Sequence, residues 1–386
     1  PLVRQAEMLA AQYDAVVANP PYMGGKGMNA VVKKLAKDCF PDSKSDLFAC
    51  FIERGLTLAK DGGQNSMVTM QSWMFLSSFR DMRERILRTK TIGTLAHLGA
   101  RAFGSISGEV VQTAAFVMKN EPPNGFKPAF FRLTDGGESE KRTSLANGEK
   151  RFDTTSQDDF AKITDSPLAY WVSEAEKSLF QHPPIKNVAS FKEGLTTANN
   201  DLFLRLWNEV SFSRIDFGAH ESDSSLRWVP YNKGGPYRKW YGNNFYVINW
   251  RVDGSEIRNY QGSSFRNPSF HFKEGGTFSA LSSSGFSVRY SDFGFAFDSK
   301  GTMLFAGDDL SKVLSYLNSN VCSSLIALVS PTLDFRFGTI QELPYLARNE
   351  HPSDLLIDHP RRDWNAYERS WDFQSLPLLT ASSDPT

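Results

Sequence analysis

Tyr13-Asp14-Ala15-Val16-Val17-Ala18-Asn19-Pro20-Pro21-Tyr22 begins as a short apolar run and ends on two consecutive prolines before a tyrosine. A β-branched run bounded by prolines predicts a buried parallel strand over Tyr13 to Ala18, and ligands gather where the strands of open α/β sheets end. Asn19 to Tyr22 therefore falls where a site belongs. An asparagine amide oxygen and a backbone carbonyl held by consecutive prolines both accept hydrogen bonds from an exocyclic NH2. The nitrogen lone pair is then left to attack an electrophilic methyl group. Tyr22 offers a ring face on which a base can stack. The competing reading is a plain Asn-Pro turn that closes a strand.

Working outward, Asp46 to Lys60 carries apolar residues at helical spacing, with Ser45 or Asp46 as its cap and Asp61-Gly62-Gly63 as its stop. Met67-Val68-Thr69-Met70 reads as the next strand. A second helix runs through Phe79, Met82, Ile86 and Leu87, and strands follow at Ile92 to Leu98 and Val110 to Met118. Strands alternating with helices predict a parallel, doubly wound α/β sheet.

These motifs occur in a definite order. Asn19-Pro20-Pro21-Tyr22 comes first, then Asp46-Leu47-Phe48 with Phe51-Ile52-Glu53-Arg54-Gly55, then Met67-Val68-Thr69-Met70-Gln71-Ser72-Trp73. Leu98-Gly99-Ala100-Arg101-Ala102-Phe103 and Val111-Gln112-Thr113-Ala114-Ala115-Phe116-Val117 close the series. That order resembles the adenine-N6-specific DNA methyltransferases, above all the type IIG restriction-modification enzymes and the PglX methyltransferases of BREX phage defence. The resemblance is strongest over residues 13 to 120. It implies a Rossmann-like methyltransferase sheet, S-adenosylmethionine as methyl donor, a flipped adenine as acceptor and double-stranded DNA as partner. It implies Asn19, Pro20, Pro21 and Tyr22 as the catalytic loop and Phe103 as an aromatic against the flipped base. It also implies Asp46 and Phe48, with Asn19, beside the cofactor. Read from the residues alone, Phe103 is as readily a core residue at a strand end, Phe48 lies on the apolar face of its helix and reads as core rather than ligand, and Asp46 is most simply an N-cap.

Family members place a glycine-rich cofactor loop on strands before this asparagine, whereas only eighteen residues precede Asn19 here. Gly24-Gly25-Lys26-Gly27 lacks the strand and helix that would make it a substitute. The expectation is a chain that begins in mid-domain and binds cofactor poorly by itself.

The 386 residues exceed what one core usually supports, so two domains are expected. Lys and Arg number 43 and Asp and Glu 43, which argues against gross nucleic-acid affinity, but the average hides its distribution. Residues 1 to 120 and 226 to 290 carry positive excesses of about five and about six, and the tail after Gln341 is acidic. Cys39, Cys50 and Cys322 show neither zinc nor disulfide spacing, and the six histidines do not cluster, so no metal site is expected and a reducing cytoplasm fits. No apolar run reads as a membrane span or a secretory signal.

His182-Pro183-Pro184 marks a break. Residues 1 to 184 form the expected catalytic portion, 185 to 345 an α+β target-recognition domain, and 346 to 386 a linker whose Trp364, Tyr367, Trp371 and Phe373 form an exposed docking surface. Gly194 to Asn200, including Asn199, is a turn-rich loop able to meet phosphate. Arg227 to Asn244 interleaves cations with aromatics. Lys233, Arg238 and Lys239 are candidate phosphate contacts, and Tyr237 and Trp240 are candidate stacking or wedging rings. The alternative there is a hairpin whose rings pack inward and whose charges are merely solvated.

Two other functions stay open. One is a DNA-recognition or interaction module that does no chemistry alone, with other defence subunits or a phage anti-defence protein as partner. The other is a nuclease, for which Glu138 to Lys141 and Glu174 to Lys177 lack a credible preceding acidic residue.

Overall fold

The structure is a computed structural model that describes residues 2–103, 111–219, 226–330, 335–346 and 353–381. The chain divides into two compact units, Pro1–Gln181 and His182–Thr386. The expected strand residue Val110, His220, Thr332 to Asp334 and His351 lie outside the described residues.

The first unit runs α1 (Leu2–Ala10), β1 (Tyr13–Ala18), α2 (Ala30–Cys39), α3 (Leu47–Leu58), β2 (Ala59–Met70), α4 (Arg80–Thr89), β3 (Thr91–Gly99), β4 (Thr113–Lys119), β5 (Ala129–Arg132), α5 (Glu138–Ala146), β6 (Arg151–Phe152) and α6 (Glu174–Leu179). Among the described residues its sheet has the order β1-β2-β4-β3-β5-β6. β1 pairs parallel with β2 and β3 parallel with β5, while β4 lies antiparallel between β2 and β3. The sheet is therefore mixed, where alternation had predicted it parallel.

The carboxyl ends of β1, β2, β3 and β5 share one edge of this sheet. Asn19, Gln71, Ala100 and Leu133 follow those ends directly, and Gln112 precedes β4 at the same edge because Thr113 pairs with Met70 and Gly99. α3 packs on β2 and β1, and α4 on β3. Gly55 allows the first contact, since a Cβ there would come within 2.6 Å of the Asn65 side chain. Phe48, Ile52, Trp73, Met82, Leu95 and Phe116 are buried in the resulting core. β1 departs from its expected burial. It is an edge strand with Val17 78% exposed, because β2 alone flanks it among the described residues.

The second unit contains β7 (Ser190–Lys192), α7 (Asn200–Phe203), β8 (Leu204–Leu206), β9 (Trp228–Asn232), β10 (Tyr246–Asn249), α8 (Arg251–Arg258), β11 (Gly275–Ser279), β12 (Val288–Ser291), β13 (Ala296–Phe297), β14 (Gly301–Phe305), α9 (Leu310–Leu317), α10 (Asn320–Val329), α11 (Phe337–Ile340), α12 (Ser353–Asn365) and α13 (Pro377–Ala381). Among the described residues, two four-stranded sheets, β13-β9-β10-β8 and β12-β11-β14-β7, make it α+β. β9 is buried throughout, so the first residues of the expected basic-aromatic loop are a core strand.

The aromatic tail is not the exposed docking surface expected of it. Trp364 is 1% exposed and meets Phe245 edge-on at 5.2 Å, and Trp371 packs on Phe217 and Phe295. Arg361 pairs with Asp292 at 2.7 Å, and the Trp207 indole donates to the Arg369 carbonyl. Trp364 and Trp371 thus pack into the second unit, while Tyr367 between them remains 51% exposed.

Candidate active site

Asn19 stands exposed at the end of β1, followed by a buried Pro20, an exposed Pro21 and a half-buried Tyr22. Proline has no amide hydrogen, so the two consecutive prolines remove donors from this stretch and leave its carbonyls and the Asn19 amide oxygen as acceptors. That is the polarity an incoming amino group requires. The Tyr22 hydroxyl lies 3.4 Å from Asn19 Oδ1 and 3.4 Å from the Val68 carbonyl oxygen on β2. Its ring meets Phe48 edge-on with centroids 6.3 Å apart. Burial raises the Tyr22 phenol above its ordinary value, which keeps it protonated and able to donate.

Phe48 is wholly buried beneath Tyr22, and Asp46 caps α3. Asp46 Oδ1 accepts from the Met23 amide at 2.9 Å and from the Phe48 amide at 3.4 Å. Burial pushes the Asp46 carboxyl upward despite these amides, which pull the other way. Phe103 is half-buried on the segment that leaves β3 at the same edge of the sheet.

A polar relay at this edge was not anticipated from the sequence. His97 on β3 has its Nε2 2.7 Å from Gln71 Oε1, and Gln71 Nε2 donates to Gln112 Oε1 at 2.5 Å. The Tyr170 hydroxyl is 3.3 Å from His97 Nδ1. Burial, with Arg132 and Lys141 nearby, lowers the His97 imidazole to about 4, so the ring is neutral at physiological pH. Phe75 and Trp171 flank it, and Arg132 stacks on Trp171 at 4.6 Å. The signal for Gln71 was its place directly after an apolar strand, the same logic that singled out Asn19.

In the second unit the expected DNA contacts are drawn inward. Lys233 pairs with the buried Asp298 at 2.5 Å, and Asp298 also accepts from the Tyr231 hydroxyl at 2.8 Å. Lys239 donates to the Asn318 carbonyl at 2.6 Å. Arg238 stacks on Trp364 at 5.0 Å and faces Asp363. Asn199 caps α7 through the Leu202 amide and donates to Tyr260. Trp240 is half-buried with a left-handed backbone, and Tyr237 is 41% exposed.

The family described as Eco57I restriction-modification methylase matches residues 4–103, which include Asn19 to Tyr22, Asp46, Phe48, Gln71, His97 and Phe103 but not Gln112 or Tyr170. The adenine-specific methyltransferase BrxX of Escherichia coli O9:H4 (strain HS) is 46% identical over 98% of this chain and 32% of its own length. The adenine-specific methyltransferase PglX of Lacticaseibacillus casei (strain Zhang) is 44% identical over 98% and 33%. The chain is similar, end to end, to one segment of these adenine-specific methyltransferases. It spans about a third of the length of the BrxX and PglX proteins it matches. Its fold is similar to that of the type IIL restriction-modification enzyme MmeI, solved in complex with DNA, with a TM-score of 0.59 over 93% of this chain and 50% of that one. At 12% identity that likeness is one of fold. No helix among the described residues is long and apolar enough to cross a membrane.

Proposed function

We propose that this chain supplies the base-acceptor side and the DNA-reading unit of an adenine-N6-specific DNA methyltransferase in a BREX or restriction-modification system. The observation that carries this reading is the exposed Asn19 amide oxygen at the carboxyl end of β1, with Tyr22 turned toward it. The adenine leaves the duplex at a cost of a few kcal/mol and is received on Tyr22. Asn19 Oδ1 and the Pro20 carbonyl accept its two amino hydrogens, which withdraws the nitrogen lone pair from the ring and aims it outward. S-adenosylmethionine, when bound, supplies the electrophilic methyl group. The exposed Asn19 fits a place beside that donor, whereas Phe48 is sealed under Tyr22 and Asp46 Oδ1 is occupied by backbone amides. The new N–C bond forms as the S–C bond breaks, and the nitrogen then releases one proton to water. Positioning does most of this work, and no general base is needed before transfer.

Residues 1 to 184 hold the chemistry on this reading. Residues 185 to 345 read DNA, with Tyr237 the exposed ring of the Lys233 to Asn244 loop and Phe103 the second ring against the flipped base. Double-stranded DNA is the partner and the cytoplasm the setting. Other defence subunits, or a phage anti-defence protein, are further partners. Replacing Asn19 by Ala in the full-length protein abolishes N6-methyladenine in host DNA, and unchanged methylation would sink the reading.

A further inference from the structure

The segment that leaves Tyr22 runs back along the start of α3. Besides the Met23 amide on Asp46 Oδ1, the Leu47 amide donates to the Met23 carbonyl at 3.0 Å and the Gly25 amide to the Ser45 carbonyl at 3.2 Å. Gly24 and Asp46 form an antiparallel bridge. One carboxylate oxygen therefore ties two things together, namely the exit of the Asn19–Tyr22 loop and the second residue of α3. That second residue, Phe48, is the ring on which Tyr22 rests. The entrance of the loop is fixed by the pairing of Ala18 with Met67. The helix dipole favours a negative group at this end of α3.

We propose that Asp46 is a positioning residue for methyl transfer: its carboxylate tethers the loop exit and holds Asn19 and Tyr22 in the reacting geometry. The proposal rests on the methyltransferase reading and deepens it. Asp46 acts through the loop and touches neither the base nor the methyl donor. A misplacement of about 1 Å in a reacting group costs on the order of a hundredfold in rate, so a tether at this point governs the chemical step.

Serine separates the two tasks of Asp46. Asp46→Ser keeps a favoured N-cap for the Phe48 amide, but its hydroxyl is too short to reach the Met23 amide. Asp46→Asn keeps an oxygen able to accept from both. The full-length protein is assayed in single turnover on plasmid DNA from a host lacking the system, at saturating S-adenosylmethionine. Donor affinity is read by calorimetry and loop opening by hydrogen exchange at residues 22 to 25. Asp46→Ser slows transfer about 10- to 100-fold and speeds exchange at Met23, with donor affinity within about twofold and a melting temperature lowered by no more than a few degrees. Asp46→Asn restores most of the rate and the protection. The tether is refuted if Asp46→Ser leaves rate and exchange unchanged, or if the loss lies in donor affinity alone. Failure of the methyltransferase reading is distinct, because it appears as an Asn19→Ala protein that still methylates, while the exchange data still judge the tether.

Discussion

Tyr22 donates its hydroxyl toward Asn19 Oδ1 across 3.4 Å, so the two residues proposed to hold the base already share a hydrogen bond. An amide oxygen has two lone pairs, and a bond this long gives way readily to an amino group. Tyr22→Phe keeps the ring against Phe48 and is expected to change the single-turnover methylation rate less than about fivefold. Tyr22→Ala removes the stacking face, worth about 1–3 kcal/mol, and is expected to lower the rate at least about tenfold. Quenched single-turnover assays with the full-length protein compare the two.

His97 and His271 are both lowered by burial from the ordinary 6.5 to about 4. Between those values the unfolded chain binds protons that the folded chain refuses. The stability held by the neutral rings is therefore complete above about pH 6.5 and is lost as the pH falls toward 4. Two and a half pH units correspond to about 3 kcal/mol for each ring as an upper bound. Calorimetric unfolding across that window shows the decline, and His97→Gln or His271→Gln flattens it.

Arg83 on α4 is fully buried and donates only to carbonyls, reaching those of Trp73, Leu76, Asp165 and Ser166. Burial lowers its guanidinium to about 10, still charged at neutral pH. Arg83→Lys is expected to destabilise by about 3 kcal/mol and Arg83→Met by at least as much, because a single ammonium cannot fork to four acceptors on separate segments. Denaturant midpoints at constant m-value decide this.

Trp364 fills a slot floored by Gly242, where a Cβ would come within 2.6 Å of the indole. Trp364→Ala is expected to cost the second unit about 3–5 kcal/mol, and Gly242→Ala to destabilise it as well. Thermal unfolding followed by tryptophan fluorescence tests both.

Local pattern made much of this molecule legible. The strand before Asn19 and the helix after Asp46 lie within a residue or two of their expected places, because each is set by periodicity and caps in a single stretch. What depends on distant partners was not legible. The direction of β4 shows in its antiparallel pairing with β2 and β3, not in its own apolar run. β9 was hidden by Pro230, which is tolerated because β13 pairs only with Tyr231 and Asn232 and leaves that side of Pro230 free of a ladder partner. His97 finds Gln71 across 26 positions, and Lys233 finds Asp298 across 65. Nothing near either residue announces such a partner.

The inward engagement of Lys233, Arg238 and Lys239 bears on how DNA binding responds to ionic strength. A cation that neutralises a backbone phosphate expels a condensed counterion, and each such contact steepens the salt dependence by about 0.9 in logarithmic slope. Lys233 is already paired with Asp298, and drawing it outward would leave that buried carboxylate beside Tyr231 without its ammonium partner. On the proposed reading, a count of basic residues over 226 to 290 therefore overstates the ions this loop would release on meeting a duplex, and a salt slope shallower than that count is expected.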